Sequence, residues 1–358
     1  MANTNPTIIQ WNINGFQKKK DELDLIIQDH NPQIICLQES NFKENHIAPL
    51  KNYKVYSKNR LEAGRASGGT SIYVKAFIPS QTLNILSDLE VLAVQIEMKE
   101  KLTICNIYLP NQKKFRKIDI ENIIQQLPTP FILLGDFNAH SPIWGSIKTD
   151  PRGKEIETLL EKDNIALLND STPTHINIAN GNFSCIDLTL CSASLAHRIE
   201  WKVLPDIFSS DHIPIKIIFT PRTGDSNKNK YSRWNLKNPN WTLFSEMVDD
   251  EVSKLPNSNQ SNINEMVNTF TTILTQTAEK TIGSHTNQTF KPKVPWWNDT
   301  IKEAIKNKKE ALSIFKKNKT QEHFILLKKL RAKSKFLIKN SKKESWKKFT
   351  STINNNTH

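Results

Sequence analysis

Four polar clusters, each directly after an apolar, strand-like run, are the part of this sequence best suited to chemistry. They are Trp11–Gly15, Leu37–Ser40, Gly135–His140 and Ser209–His212. In α/β folds, side chains at strand ends converge in a crevice at one edge of the sheet, so residues far apart in sequence can build one site. Carboxylates and amides without thiols suit a hard cation such as Mg²⁺, and a histidine beside them suits proton transfer. The combination predicts cleavage of a phosphate ester.

Three residues of these clusters have positions expected of metal and acid–base chemistry. Glu39 ends an apolar strand, where a carboxylate is predicted to bind a cation; taken alone, it would more often be a helix cap or a surface residue. Asp136 and Asn138 lie two positions apart, so both face the same way in extended geometry. Asp136 is predicted to orient or deprotonate a water, and Asn138 to donate its amide to a phosphoryl oxygen. The competing interpretation of this segment is a turn closed by Asx hydrogen bonds.

A histidine and a buried acid form the second half of the predicted site. Asp187 is flanked by apolar residues on both sides, and a buried acid requires a partner. His212 is the natural one, because a carboxylate on one ring nitrogen leaves the other nitrogen for a phosphate; a structural His–Asp pair is the alternative. Asn12 and Asn14, on one face of the first strand end, are candidates for phosphate or metal binding, or else turn formers.

Apolar strand-like segments alternate with amphipathic helical ones from Thr7 to Phe219. The segments Val91–Met98 and Leu102–Leu109 are joined too tightly for a crossover and predict a hairpin. So many strands with interspersed helices favour two packed sheets covered by helices over a parallel doubly wound sheet. The predicted strands are Thr7–Trp11, Ile34–Gln38, Thr70–Val74, Val91–Met98, Leu102–Leu109, Phe131–Gly135, Phe183–Leu190, Trp201–Leu204 and Ile213–Phe219, and the predicted helices are Lys19–Gln28, Arg116–Gln126 and Gly153–Lys162.

The character of the chain changes after Phe219. A polar, breaker-rich stretch predicts a linker, and beyond it helical patterns replace strand patterns over Ile263–Ile282 and Asp299–Thr350. The polar, Asn-rich end predicts disorder. The predicted division is a catalytic domain over residues 1–220, a linker over 221–232, an all-α basic region over 233–350 and a disordered tail over 351–358.

The positive charge is concentrated in the C-terminal part of the chain. The net charge is +13 over 358 residues, yet residues 1–220 carry 23 Lys and Arg against 24 Asp and Glu, whereas residues 291–350 carry 19 against 5. Aromatic residues are interleaved with these lysines. A polyanion partner is predicted, with nucleic acid ahead of an anionic membrane. The alternative is an amphipathic helical bundle with a solvated basic face.

The cysteines and the N-terminal sequence predict an intracellular protein. Of the four cysteines, three lie in apolar runs, and no pair has zinc-finger or redox spacing. No signal-peptide pattern precedes the first strand, and no apolar run approaches the roughly 20 residues needed to span a bilayer.

The order of these motifs resembles the endonuclease/exonuclease/phosphatase superfamily. The series Asn…Glu…Tyr-x-Pro…Gly-Asp-Phe-Asn…Asp…Ser-Asp-His covers about residues 7–219. Gly135–His140 with Trp144–Ser146 close behind, and Ser184–Leu190, are similar to the apurinic-like endonuclease domain of non-LTR retrotransposons, especially the jockey-like group. Tryptophan-containing segments and basic helices past residue 232 resemble the region that joins endonuclease to reverse transcriptase in those polyproteins.

This resemblance implies a four-layer α/β sandwich and Mg²⁺-dependent hydrolysis of a DNA phosphodiester, with Mn²⁺ as a substitute. The nick would leave a 3′-hydroxyl that primes reverse transcription. By position, Glu39 matches the principal metal ligand, which also serves catalysis, with Asn12 beside the metal and phosphate and Asp211 as a second acid near the metal.

Matching positions also suggest the catalytic and substrate-binding residues. Asp136 resembles the water-activating acid and Asn138 the transition-state donor, while Asp187 orients His212 toward the scissile phosphate and Tyr108 contacts the phosphate. The residues expected to bind substrate are Asn12, Asn14, Asn138, His140, Trp144 and His212.

The resemblance is compatible with more than one function. Many repair enzymes of the superfamily have Asp where this chain has Asn14. This difference argues against abasic-site repair and leaves open whether the site binds one metal ion or two. A phosphatase acting on a small phosphate ester and a non-catalytic nucleic-acid-binding protein are the competing functions. The expected partners are target DNA, element RNA through residues 291–350 and a reverse transcriptase of the same polyprotein, which this chain does not contain. A chromosomal substrate implies the nucleus.

Overall fold

The computed structural model describes residues 6–43, 48–60, 66–98, 100–219, 233–234, 239–255, 263–285 and 294–353. The chain forms two compact units: residues 5–222 together with 292–358, and residues 1–4 together with 223–291. The predicted linker at 221–232 lies outside the described residues, as does most of the predicted tail.

The larger unit contains two six-stranded mixed sheets. In spatial order, the first sheet is β13-β14-β1-β2-β4-β3 and the second is β5-β6-β7-β8-β12-β9, while β10 and β11 form a separate hairpin. The strands are β1 (Thr7–Asn12), β2 (Ile34–Gln38), β3 (Tyr53–Lys58), β4 (Thr70–Lys75), β5 (Ser80–Leu83), β6 (Glu90–Glu97), β7 (Lys101–Tyr108), β8 (Phe131–Asp136), β9 (Ile165–Leu167), β10 (His175–Ile176), β11 (Phe183–Ser184), β12 (Asp187–Ser192), β13 (Ile199–Val203) and β14 (Ile215–Phe219).

Helices cover the outer faces of both sheets, which confirms the predicted four-layer arrangement. The central strands are rich in Ile, Leu and Val and are buried on both faces, so one core lies between the sheets and one lies under each helical layer. The helices of this unit are α1 (Phe16–His30), α2 (Lys117–Gln125), α3 (Pro151–Leu160), α4 (Ala193–Ala196), α7 (Asp299–Lys317) and α8 (Gln321–Ser351).

Strand pairing brings the polar strand ends together. Parallel pairing of β7 with β8 sets Tyr108 opposite Asp136, and antiparallel pairing of β12 with β8 sets Asp187 opposite the same residue. The two sheets are also joined directly, because the Gln10 amide of β1 donates to the Gly135 carbonyl of β8 over 2.9 Å. The ends of β1, β7, β8 and β12 therefore meet at one place.

Several elements differ from the sequence prediction. The hairpin of β6 and β7 is confirmed, but the segment predicted as one strand over Phe183–Leu190 is divided between β11 and β12. The long C-terminal helix is two helices, because Thr320 begins α8 as its N-cap. We call α7 and α8 together the helical arm; it packs within the larger unit, whereas the sequence analysis placed it in a separate region.

The described residues of the smaller unit are mostly helical. It contains α5 (Trp241–Ser253) and α6 (Ile263–Thr281), and the two-residue strands Arg233–Trp234 and Ser284–His285 pair antiparallel. Among all described helices of the chain, none has the length and apolar character needed to cross a membrane.

Candidate active site

Asn12, at the end of β1, links two carboxylates. Its fully buried amide nitrogen donates to Glu39 Oε1 over 3.0 Å and to Asp136 Oδ2 over 2.9 Å. Its oxygen accepts from the Asn14 backbone N–H over 3.1 Å, so the amide is held by the turn that follows β1. One side chain therefore fixes the relative positions of carboxylates from both sheets.

Asp136 and Asn138 form a single unit after β8. The Asn138 backbone N–H donates to Asp136 Oδ1 over 2.9 Å, and its side-chain amide lies 3.3 Å from Asp136 Oδ2 and 3.1 Å from the Leu109 carbonyl. This is the Asx geometry expected of a turn, and the turn itself points the acid and the amide into one pocket. Burial raises the pKa of Asp136, against the opposing effect of the nearby His212 ring.

His212 is held by Asp187, as the sequence predicted for this pair. Its Nδ1 lies 2.8 Å and 3.0 Å from the two Asp187 oxygens, and its Nε2 lies 3.8 Å from Asp136 Oδ2. Burial would lower the pKa of His212, but Asp187 and then Asp136 outweigh burial and raise it. The imidazole is therefore favoured in its charged form, with Nε2 directed toward Asp136.

Asp211 lies beside His212 at the pocket edge. The Asn14 amide donates to its Oδ1 over 3.3 Å, and His175 Nε2 lies 3.8 Å from its Oδ2. Burial acts to raise the pKa of Asp211, but His175, His212 and Asn14 outweigh it and lower that pKa well below the usual range. Asp211 thus presents an ionised carboxylate.

Most of these side chains line one pocket of about 560 Å³. Tyr108 forms part of its wall, and burial followed by the adjacent Glu39 carboxylate raises the pKa of its hydroxyl. Asn12 and Asp187 are buried behind the wall, and Asn14 is exposed beside it. The predicted site residues among its lining are Glu39, Tyr108, Asp136, Asn138, His140, Asp211 and His212.

His140 and Trp144 both follow β8 and were both predicted to bind substrate, but the structure places them in different environments. His140 is half-buried and lines the pocket, with Nδ1 3.3 Å from Ser146 Oγ. Trp144 is fully buried in the core, and its indole N–H donates to the Ala139 carbonyl over 3.1 Å. A side chain with no exposed surface cannot contact a substrate, so the assignment of Trp144 to substrate binding is wrong. The Trp144 side chain instead packs in the core and hydrogen-bonds the backbone of the turn.

Sequence reasoning missed His175 as a residue of the site and gave no role to Ser210, although Ser210 lies in the Ser209–His212 cluster. His175, in β10, lies with its ring 4.8 Å from that of His212 and accepts or donates at Nδ1 with Ser184 Oγ over 2.9 Å. Ser210 is fully buried, donates from Oγ to the Asn12 carbonyl over 2.7 Å and accepts from the His212 N–H over 3.2 Å. Only the long-range pairing of β10 with the His212 segment brings His175 to the site, and no local pattern marks it.

The donors at the site fit a hard divalent cation. Within the described residues, two groups of donors are close enough to hold an ion: His175 with Asp211 and His212, and Asp136 with Asp187 and His212. In the second group His212 already hydrogen-bonds Asp187, and its Nε2 lies at ion-pair distance from Asp136. Glu39 lies outside both groups, and Mg²⁺ commonly uses one or two carboxylates and keeps several waters, so a sparse oxygen site at Glu39 suits it.

Comparison with known families agrees with this geometry. The endonuclease/exonuclease/phosphatase model described as endonuclease-reverse transcriptase matches residues 102–216. This match confirms the resemblance read from the sequence, over residues 102–216.

Curated relatives include proteins of mobile elements of Drosophila melanogaster. The probable RNA-directed DNA polymerase from transposon X-element is 23% identical over 249 residues, covering 68% of this chain and 27% of the relative. The RNA-directed DNA polymerase from mobile element jockey is 25% identical over 219 residues, covering 59% of this chain and 24% of the relative. The chain thus spans about a quarter of the length of these relatives.

Solved structures share the fold. The endonuclease domain of TRAS1, a telomere-specific non-LTR retrotransposon, matches with a TM-score of 0.52 and 20% identity over 60% of this chain and 98% of that domain. The AP endonuclease LMAP from Leishmania major matches with a TM-score of 0.51 and 14% identity over 61% of this chain and 89% of that enzyme. These matches confirm the four-layer α/β fold.

Proposed function

We propose that this chain is a metal-dependent DNA endonuclease that nicks one strand and leaves a 3′-hydroxyl from which reverse transcription of a non-LTR retrotransposon is primed. The observation that carries the proposal is the convergence of Asp136, Asn138 and an Asp187-held His212 in one pocket, with Glu39 linked to them through Asn12. The similarity to jockey and X-element proteins supports the role of the nick.

The metal would be Mg²⁺, with Mn²⁺ as a substitute. Glu39 would be the principal ligand, with Asn12 and Asp211 nearby, since these residues offer the oxygen donors that such ions prefer. When bound, the ion would supply positive charge to a phosphate oxygen. The lowered pKa of Asp211 keeps one of these carboxylates ionised.

The remaining residues divide the hydrolysis between them. Asp136 orients and deprotonates the attacking water, and Asn138 donates its amide to a phosphate oxygen as negative charge builds there. His212, charged and fixed by Asp187, donates from Nε2 to another phosphate oxygen. Tyr108, which lines the pocket, contacts the phosphate.

Further contacts are proposed to DNA at the pocket rim and to nucleic acid on the helical arm. Asn14 and His140 would bind the DNA backbone beside the scissile phosphate. On α8, Lys339 and Lys343 are exposed next to Phe336 and Trp346, which are 61% and 64% exposed. Lysines with exposed aromatic rings suit a nucleic-acid strand, element RNA in particular.

The cellular context follows from the proposed substrate. A chromosomal target places the protein in the nucleus, and a reverse transcriptase of the same polyprotein would use the 3′-hydroxyl. Both statements rest on the similarity to retrotransposon proteins.

The test is nicking of supercoiled plasmid by the purified chain with Mg²⁺ and with EDTA. Glu39→Gln, Asp136→Asn and His212→Ala should each reduce the rate by about 100-fold or more, because each removes a group acting on the metal, the water or the phosphate. Glu161→Gln and Asp163→Asn change exposed acids in the same way and should leave the rate unaltered. A DNA polymerase should extend the nicks directly.

Different cleavage results would favour the competing functions. Cleavage confined to abasic duplexes would favour a repair enzyme. A folded protein that cuts neither plasmid nor abasic DNA would contradict the proposal and favour a small phosphate ester or a non-catalytic nucleic-acid-binding role.

A further inference from the structure

The segment that carries Asp211 and His212, residues 204–212, is irregular and depends on side chains from elsewhere; we call it the His212 loop. Phe208 within it adopts a left-handed conformation with φ of 46°. Two of its backbone carbonyls accept from one guanidinium: Arg331 Nε donates to the Phe208 carbonyl and Nη2 to the Ser210 carbonyl, each over 2.8 Å. A planar fork that joins both carbonyls fixes the direction of this turn.

Hydrogen bonds connect Ser210, which Arg331 contacts, to the catalytic residues. Ser210 Oγ joins the Asn12 carbonyl to the His212 N–H, and on the other side Glu22 accepts from both Ser209 N and Ser209 Oγ over 2.9 Å. A shift of the Ser210 backbone would therefore move His212 relative to Asp187 and Asp136.

The helical arm holds a second wall of the pocket as well. Lys308 Nζ of α7 lies 2.8 Å from Asp206 Oδ1 at the start of the loop, with both side chains almost completely buried. Phe315 packs against Phe183 of β11 with ring centroids 5.5 Å apart, on the hairpin that also carries His175. The loop and the hairpin thus rest on the same pair of helices.

We infer that Arg331 is a positioning residue of the nuclease site, and that the helical arm is part of the catalytic unit because it sets the His212 loop. The inference rests on the proposed nuclease function. Arg331 acts through the backbone of the loop: its Nε and Nη2 donate to the Phe208 and Ser210 carbonyls, so its contribution is to the placement of His212 and Asp211.

The experiment compares full-length wild type, Arg331→Ala, Arg331→Lys and Arg116→Ala in plasmid nicking, with kcat and KM measured separately. Arg116 is an exposed arginine at the start of α2, outside the pocket and the arm, and it controls for loss of one positive charge. Arg331→Ala should lower kcat by about 10- to 100-fold with KM within about two-fold, since misplacement affects the transition state more than DNA binding. The kcat of Arg331→Lys should lie between those of wild type and Arg331→Ala. Added guanidinium should partly restore the kcat of Arg331→Ala but not that of His212→Ala.

Amide hydrogen exchange over residues 204–212 gives a readout that does not require activity. Arg331→Ala should exchange faster there than wild type and Arg116→Ala, so the positioning role is tested even if the wild type fails to nick and the proposed function falls. A change in KM alone, or unchanged kcat and exchange, would overturn the inference. Should Arg331→Ala fail to fold, Arg331→Lys decides by the same two measurements.

Discussion

Asp136 and Asp187 lie opposite each other in the β8–β12 pair, and each is almost without solvent exposure. The negative charge of two buried carboxylates on paired strands requires compensation. His212 supplies one positive charge to both, and Asn12 supplies an amide to Asp136. Burial raises the pKa of Asp136, with Asp187 adding to the rise, whereas against the effect of its own burial the pKa of His212 is raised by Asp187 and Asp136. Acid–base chemistry at this site is therefore a property of the group, and substituting one member changes the proton affinity of the others.

Glu22 provides a residue-scale prediction for stability against pH. Burial raises its pKa above the ordinary value of 4.5, and Asp206 raises it further, whereas Lys308 lowers it. Lys19 and Arg331 also face this carboxylate. The folded protein therefore binds this proton more tightly than the unfolded chain does. Stability from this group is present below pH 4.5 and is lost as the pH rises through the raised folded-state pKa.

Glu22→Gln removes this dependence and keeps an acceptor for the Ser209 N–H. The melting temperature of wild type, minus that of Glu22→Gln, should fall as the pH rises from about 4.5 toward 8. Asp29→Asn removes an exposed charge from the same helix and serves as the control. A difference that stays constant, or rises with pH, would contradict the assigned direction.

At the scale of elements, the end of β8 depends on the absence of a side chain at Gly135. A Cβ there would lie 1.8 Å from the Ile107 carbonyl oxygen of β7, and backbone on a central strand cannot move aside easily. Gly135→Ala should destabilise the unit by at least about 2 kcal/mol in urea unfolding. Gly15→Ala, at a positive φ of 97° with its nearest neighbour 3.6 Å away, should cost only about 1 kcal/mol; equal losses would count against the close-approach argument.

The strands that hold the site could be predicted because they are continuous apolar runs followed by polar clusters. β3 and β5 were missed because they lie at sheet edges and mix exposed polar residues with apolar ones, and β10 because it is two residues long. The pairing of Asp187 with His212 could be inferred from chemistry alone. Trp144 could not be assigned correctly, since a motif does not show which side of a turn an aromatic ring occupies.

At the scale of the whole molecule, sequence composition indicated a boundary that the packing does not follow. Residues 292–358 group with residues 5–222, although a polar stretch and a helical segment separate them in the chain. The contacts responsible are long-range, and they include two apolar clusters and the buried Lys308–Asp206 pair. A lysine in a basic helix gives no signal that it is the buried one. The apolar positions of α7 and α8 predicted amphipathic helices but not the surface that they cover.

The positive charge of the arm gives the last prediction, because α7 and α8 use one face for packing and leave another for solvent. Lys339 and Lys343 lie on the exposed face of α8, so their loss should not disturb the packed face. If they contact phosphates, replacing both by Ala should reduce the slope of log affinity against log salt by about 1.8 for duplex DNA, as each contact releases about 0.9 counterions. Lys51→Ala with Lys54→Ala, two exposed lysines at the β3 edge, removes equal charge elsewhere. Fluorescence anisotropy with labelled duplex DNA and with single-stranded RNA, over a series of salt concentrations, measures the slope. An equal change in both double variants would mean that net charge alone acts, and the arm would then contribute to the nuclease only through its packing.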